Sequence, residues 1–147
     1  MMRRIVAFIG VVSAALIGLV ASPAEATPPS DVEIVVPGFE GPFVATGTAV
    51  DDGVVCGTGE VLTTFIKPAG FQGNNGVNLT VGKEFTCDDG SGTFSAKLQV
   101  RIDYARGVSF RWVITGGTDE YEDLHGAGSG FVVPVDTDVY QGGLHVD

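Results

Sequence analysis

Two runs of strict alternation, residues 93–104 and 108–115, constrain this chain more than any other feature. In the first, Phe94, Ala96, Leu98, Val100, Ile102 and Tyr104 take one face, and Ser95, Lys97, Gln99, Arg101 and Asp103 take the other. The second sets Val108, Phe110, Trp112 and Ile114 against Ser109, Arg111 and Thr115. A period of two is the signature of a half-buried β-strand. Between the runs, Ala105-Arg106-Gly107 reads as a three-residue hairpin loop with glycine in the left-handed position. Pairing Tyr104 with Val108 then sets Ile102 opposite Phe110, Val100 opposite Trp112 and Leu98 opposite Ile114. A slip of one residue would turn every apolar side chain to the wrong face. The same register sets Arg101 opposite Arg111, a like-charge pair that needs an acid beside it, and Asp103 shares that face. Lys97, Arg101, Arg106 and Arg111 are half of the eight basic residues. They read as an exposed face with local ion pairs, or as a contact for an acidic partner such as a second copy, so a homo-oligomer stays open.

The rest of the chain has the same grain. Residues 31–36 read as a first edge strand ended by Pro37-Gly38, and 43–50 as a β-rich run ended by Asp51-Asp52-Gly53. Residues 54–66 and 77–87 read as two long strands joined by a loop over 68–76. After the turn at 88–92 come the two alternating runs, and 131–135 and 138–146 read as closing strands. Residues 112–130 begin as a strand and break at Gly116-Gly117-Thr118. They then turn around Tyr121 and Leu124 and leave through a run of glycines. Tyr121 and Leu124, three apart in one helical turn, are spaced to plug one end of a barrel. Many short, hairpin-linked strands in an all-β domain require a sandwich or a barrel.

At the N-terminus, Met1-Met2-Arg3-Arg4 is a basic start, residues 5–21 are apolar, and Ala24-Glu25-Ala26 fits a small-x-small cleavage site. Residues 1–26 therefore read as a signal peptide and 27–147 as the β domain, secreted or held in the cell envelope. An uncleaved anchor is the alternative. Cys56 and Cys87 are the two cysteines, and an even count in an exported chain reads as one disulfide. Folding about the 67–76 loop with Ile66 opposite Val77 sets Leu62 opposite Val81, Glu60 opposite Lys83 and Cys56 opposite Cys87. The net charge of −10 disfavours nucleic acid and anionic lipid as partners. No stable membrane insertion is expected after cleavage.

Trp112-x-Ile114-x-Gly116-Gly117-Thr118-x-x-Tyr121-x-x-Leu124-x-Gly126-x-Gly128 resembles the GGTG-x-(aromatic) segment of dirigent proteins, and allene oxide cyclases carry a similar segment. The stretch FTCDDGSGTF at 85–94 resembles a segment of small exported actinobacterial proteins of unknown function. The resemblance is specific over about twenty residues and implies a single antiparallel β-barrel of about eight strands. Asp119 replaces the last glycine of GGTG. No catalytic residue carries over, because no active-site position of those families matches here residue by residue.

Chemistry is sparsely signalled. His125 and His145 are the only histidines, and His125 reads as a loop residue at a barrel mouth. Gly128-Ser129-Gly130 is no nucleophile elbow, since Ala127 stands where that motif needs glycine. Asp119, Glu120, Glu122 and Asp123 read as a solvated acidic turn. The Asp-Asp-Gly turns lack EF-hand spacing, so neither metal nor cofactor is expected. Three functions compete. One is an exported barrel holding a small apolar ligand in its interior, with Phe94, Leu98, Phe110, Trp112 and Tyr121 as candidate lining. Another is a cofactor-free cyclase or isomerase, which an interior pair of ionisable groups would favour. The third is a structural cell-surface protein with a filled barrel. Few charges fall on the apolar faces, so the enzyme ranks lowest.

Overall fold

A computed structural model describes residues 27–147; the signal peptide expected at 1–26 lies outside the described residues. Eight antiparallel strands close into one barrel in sequence order. They are β1 (Ser30–Pro37), β2 (Gly41–Thr46), β3 (Thr58–Phe71), β4 (Gly76–Cys87), β5 (Thr93–Asp103), β6 (Gly107–Gly117), β7 (Leu124–Val133) and β8 (Thr137–Val146). Pairing of β8 with β1 closes the ring. Two helical pieces interrupt the meander: α1 (Thr48–Asp51) and a 3₁₀ turn at Asp119–Tyr121.

Strand boundaries differ from the sequence reading; β3, read from residue 54, begins only at Thr58, and three further differences bear on the site. Residues 43–50 are not one strand: β2 stops at Thr46 and α1 follows, burying Ala49 at the end of the barrel. The glycine-rich run after Leu124 is strand β7 itself, so β7 starts earlier than expected and His125 is a strand residue facing His145. Strand β3 runs on through Pro68 to Phe71, leaving a tight connection at 72–75. Pro68 is tolerated because this half of β3 is an edge: β2 pairs with β3 only from Thr58 to Val61.

The β5–β6 hairpin keeps its predicted faces but shifts its register by two. Ile102 pairs with Val108, Val100 with Phe110 and Leu98 with Trp112. The cause lies in the turn. The Asp103 carboxylate accepts from the backbone N–H of Ala105 (2.9 Å) and of Arg106 (3.0 Å), so the loop is Tyr104-Ala105-Arg106, with Gly107 at φ 99°. Tyr104 is thereby in the turn, exposed, and not on the apolar face. Arg101 now faces Ser109 and Arg111 faces Gln99, which removes the like-charge pair.

Cys56 and Cys87 are joined, with a Cα separation of 6.0 Å. The bridge does not span a paired position. Gly59 is opposite Cys87, and Cys56 precedes β3 in the segment between α1 and the strand. Continuation of β3 beyond Pro68, with irregularities at Thr63/Phe65 and Pro68/Gly70, moves every pair from the simple hairpin register. Ile66 consequently faces Val81, not Val77.

Inward-facing aromatic rings fill one end. Phe85 and Phe94 stack at 4.8 Å, Phe43 meets Phe85 edge-on at 5.4 Å, and Tyr121 meets Phe94 at 5.5 Å. Glycines on β7 and β8 make room for such rings. A Cβ on Gly142 would meet the Trp112 indole, and one on Gly130 would meet the Phe110 ring.

Candidate functional site

The opposite end is open. There the strands turn branched aliphatic residues inward, and a cavity of about 380 Å³ lies among them. Leu98, Val100 and Ile102 of β5 form one wall, with Leu79 and Val81 of β4 beside them. Val108 and Phe110 of β6 and Val132 of β7 continue the lining. Phe110 also packs against Tyr140 at 4.8 Å, so it separates the cavity from the aromatic end.

Three ionisable residues interrupt this apolar lining: Asp136 is exposed at the mouth, and two are buried. Lys83 of β4 is 1 % exposed and Asp138 of β8 is 7 % exposed; both line the cavity. Each is inward by strand alternation. Lys83 falls in step with Val81 and Phe85, and Asp138 in step with Tyr140 and Leu144.

Lys83 is well provided for. Its Nζ donates to the Phe39 carbonyl oxygen at 2.6 Å and to Thr63 Oγ1 at 2.9 Å. It also lies 3.6 Å from the centroid of the Phe39 ring, a cation–π distance. The Thr63 backbone N–H donates to Glu40 Oε1 at 2.8 Å, which holds the Glu40 carboxyl below its usual value. Burial pushes the Lys83 ammonium below its usual pKa, while Asp138 and Glu40 act to keep it charged.

Asp138 has no such support. Burial pushes its carboxyl up to about 6; Lys83 opposes this and Asp136 adds to it. Lys83 and Asp138 feel each other's charge without forming an ion pair within 4.0 Å. Deeper in, the Tyr140 hydroxyl is buried with no hydrogen-bond partner among the described residues, and burial raises its pKa.

All five residues expected inside the barrel are buried there, but the structure divides them. Leu98 and Phe110 line the cavity. Phe94 and Tyr121 belong to the packed end, and Trp112 lies at mid-strand, opposite Leu98 and Gly128. Trp112 is 4 % exposed, and its Nε1–H donates to the Ser129 carbonyl oxygen at 3.1 Å. Tyr121 and Leu124 do plug an end: both are buried, and Tyr121 Oη lies 2.6 Å from Ser91 Oγ and 3.3 Å from Cys87 Sγ. The acidic run at 119–123 is solvated apart from Tyr121. His125 and His145 stack at 5.6 Å on the outside, each near the Asp147 carboxylate.

Sequence reasoning missed Lys83 and Asp138. The signal was present, because both interrupt an apolar alternation on their own strands, where a charge has to be buried and used or offset. Charges on the inward faces are few, as expected, but these two are buried at the cavity. No family model, curated protein or solved structure matches this chain.

Proposed function

We propose that this is an exported β-barrel protein that binds a small apolar ligand in the open end of its barrel. The observation that carries this reading is the cavity at that end: about 380 Å³, walled by aliphatic side chains, and within the range of small-molecule sites. The disulfide supports an oxidising, extracytoplasmic setting. The likeness of residues 112–128 to dirigent proteins and allene oxide cyclases agrees with a barrel of this closure, and membership of that group remains part of this proposal. Native mass spectrometry of protein purified from its source tests the reading. A retained small molecule, lost on unfolding, is the expected result. Bare protein that also fails to take up an apolar dye would overturn it.

A second reading is favoured by one observation, the interior pair Lys83 and Asp138. A carboxyl titrating near 6 in an apolar site can hold or release a proton near neutral pH, as a cofactor-free isomerase or cyclase would need. Binding ranks first because it requires only the cavity.

A further inference from the structure

The two charges in the cavity are not equivalent. The Lys83 ammonium has three N–H donors, two are bound by Phe39 and Thr63, and the Phe39 ring covers the group. It has little left to offer an anion. Asp138 is more than nine-tenths buried, lines the same cavity, and receives no hydrogen bond from the described residues. Its carboxylate faces an apolar-walled cavity with no protein donor, and a donor brought by a ligand would improve its poor solvation there. Asp136, at the same mouth, adds negative charge, as does the chain's net −10. The unpartnered Tyr140 hydroxyl lies below, outside the cavity lining.

We infer that the cavity selects apolar molecules carrying one hydrogen-bond donor, a hydroxyl or a protonated amine, and that Asp138 receives that donor. This rests on the binding reading above and deepens it. The apolar body lies along Leu98, Val100 and Ile102, and the donor group turns toward β8. Carboxylic acids of the same length are rejected, because their head group meets Asp138 and Asp136 while Lys83 is already engaged.

Calorimetric titration at pH 8 with octylamine, octan-1-ol and octanoate tests this, each below its aggregation concentration. The amine and the alcohol should bind tighter than octanoate by roughly tenfold or more, the scale of one hydrogen bond to a charged group. Asp138→Leu should abolish the ranking. Asp138→Asn, which keeps the size and an acceptor oxygen, should weaken the amine more than the alcohol. Octanoate binding as well as the amine, or a ranking unchanged in both variants, overturns the inference. If an apolar dye binds and the head groups are not distinguished, this inference alone falls. If neither the dye nor any probe binds, the binding reading falls with it.

Discussion

The two ends of this barrel are built by the same strands and differ in what those strands turn inward. At the end near α1, Phe43, Phe85, Phe94 and Tyr121 meet ring against ring, and the Cys56–Cys87 bridge ties the segment before β3 to the end of β4. At the other end, Val100, Ile102 and Val108 turn inward together with Lys83 and Asp138, and a cavity remains among them. Large side chains on inward positions give a dry, packed core. Shorter ones with two ionisable groups leave a cavity. The barrel is therefore neither wholly filled nor wholly hollow: one end holds the fold together and the other is free to hold something else.

That contrast predicts a larger cost for truncations at the packed end than at the cavity wall. Phe94→Ala or Trp112→Ala should lose about 3–5 kcal/mol, as truncations of packed core aromatics. Ile102→Ala, on the cavity wall and only partly buried, should lose less than about 2 kcal/mol. Urea denaturation of the three variants checks this, and equal losses at the two ends would erase the distinction. Replacing both cysteines by serine should cost about 3–4 kcal/mol on the chain-entropy view, for a bridge spanning 31 residues in sequence. Because the bridge lies at the packed end, the doubly substituted protein, once folded, should still take up an apolar dye.

The open end should reveal itself through pH. Asp138 titrates near 6 in the folded protein against an ordinary value of 3.8. Between those values the folded state binds more protons than the unfolded one, so this group's contribution to stability falls as pH rises from about 4 to about 6. The fall should be on the order of 1–2 kcal/mol in wild type, after solvent screening, and be missing in Asp138→Asn. Parallel pH profiles for the two proteins would mean that Asp138 is better solvated than its 7 % exposure implies.

A smaller effect is expected at the packed end. Asp119 stands where the GGTG segment it resembles has glycine, and its φ of 54° is the left-handed conformation that glycine adopts without strain. Asp119→Gly should therefore be neutral or stabilising by up to ~1 kcal/mol. Gly117→Ala should be damaging, since its Cβ would collide with the backbone carbonyl of Tyr121. Thermal melts of the pair compare these directly.

Much of the architecture was legible in the sequence, because alternation is local. The inward face of β5 and β6 follows from residues 94–114, and the Tyr121–Leu124 plug from their spacing. Register was less legible, because it is set by turns. The Asp103 carboxylate captured the β5–β6 loop and moved each pair by two, while leaving the faces unchanged. The path of β3 through Pro68 depended on β2 stopping short, which no local pattern in β3 could reveal. The cavity was the least legible part. Lys83 and Asp138 lie 55 positions apart and come together only through closure of the barrel. Their offending places in two alternating strands were the one available clue.

Methyl-labelled protein titrated with octan-1-ol and followed by carbon–proton correlation spectra probes the difference between the ends most directly. If the open end is the binding site, the methyl signals of Leu79, Val81, Leu98, Val100 and Val132 shift and saturate together, while those of Val61, Ala96 and Leu144 stay in place. Shifts at Val61, Ala96 and Leu144 with none along β4 and β5, or no saturable shift anywhere inside the barrel, would contradict it.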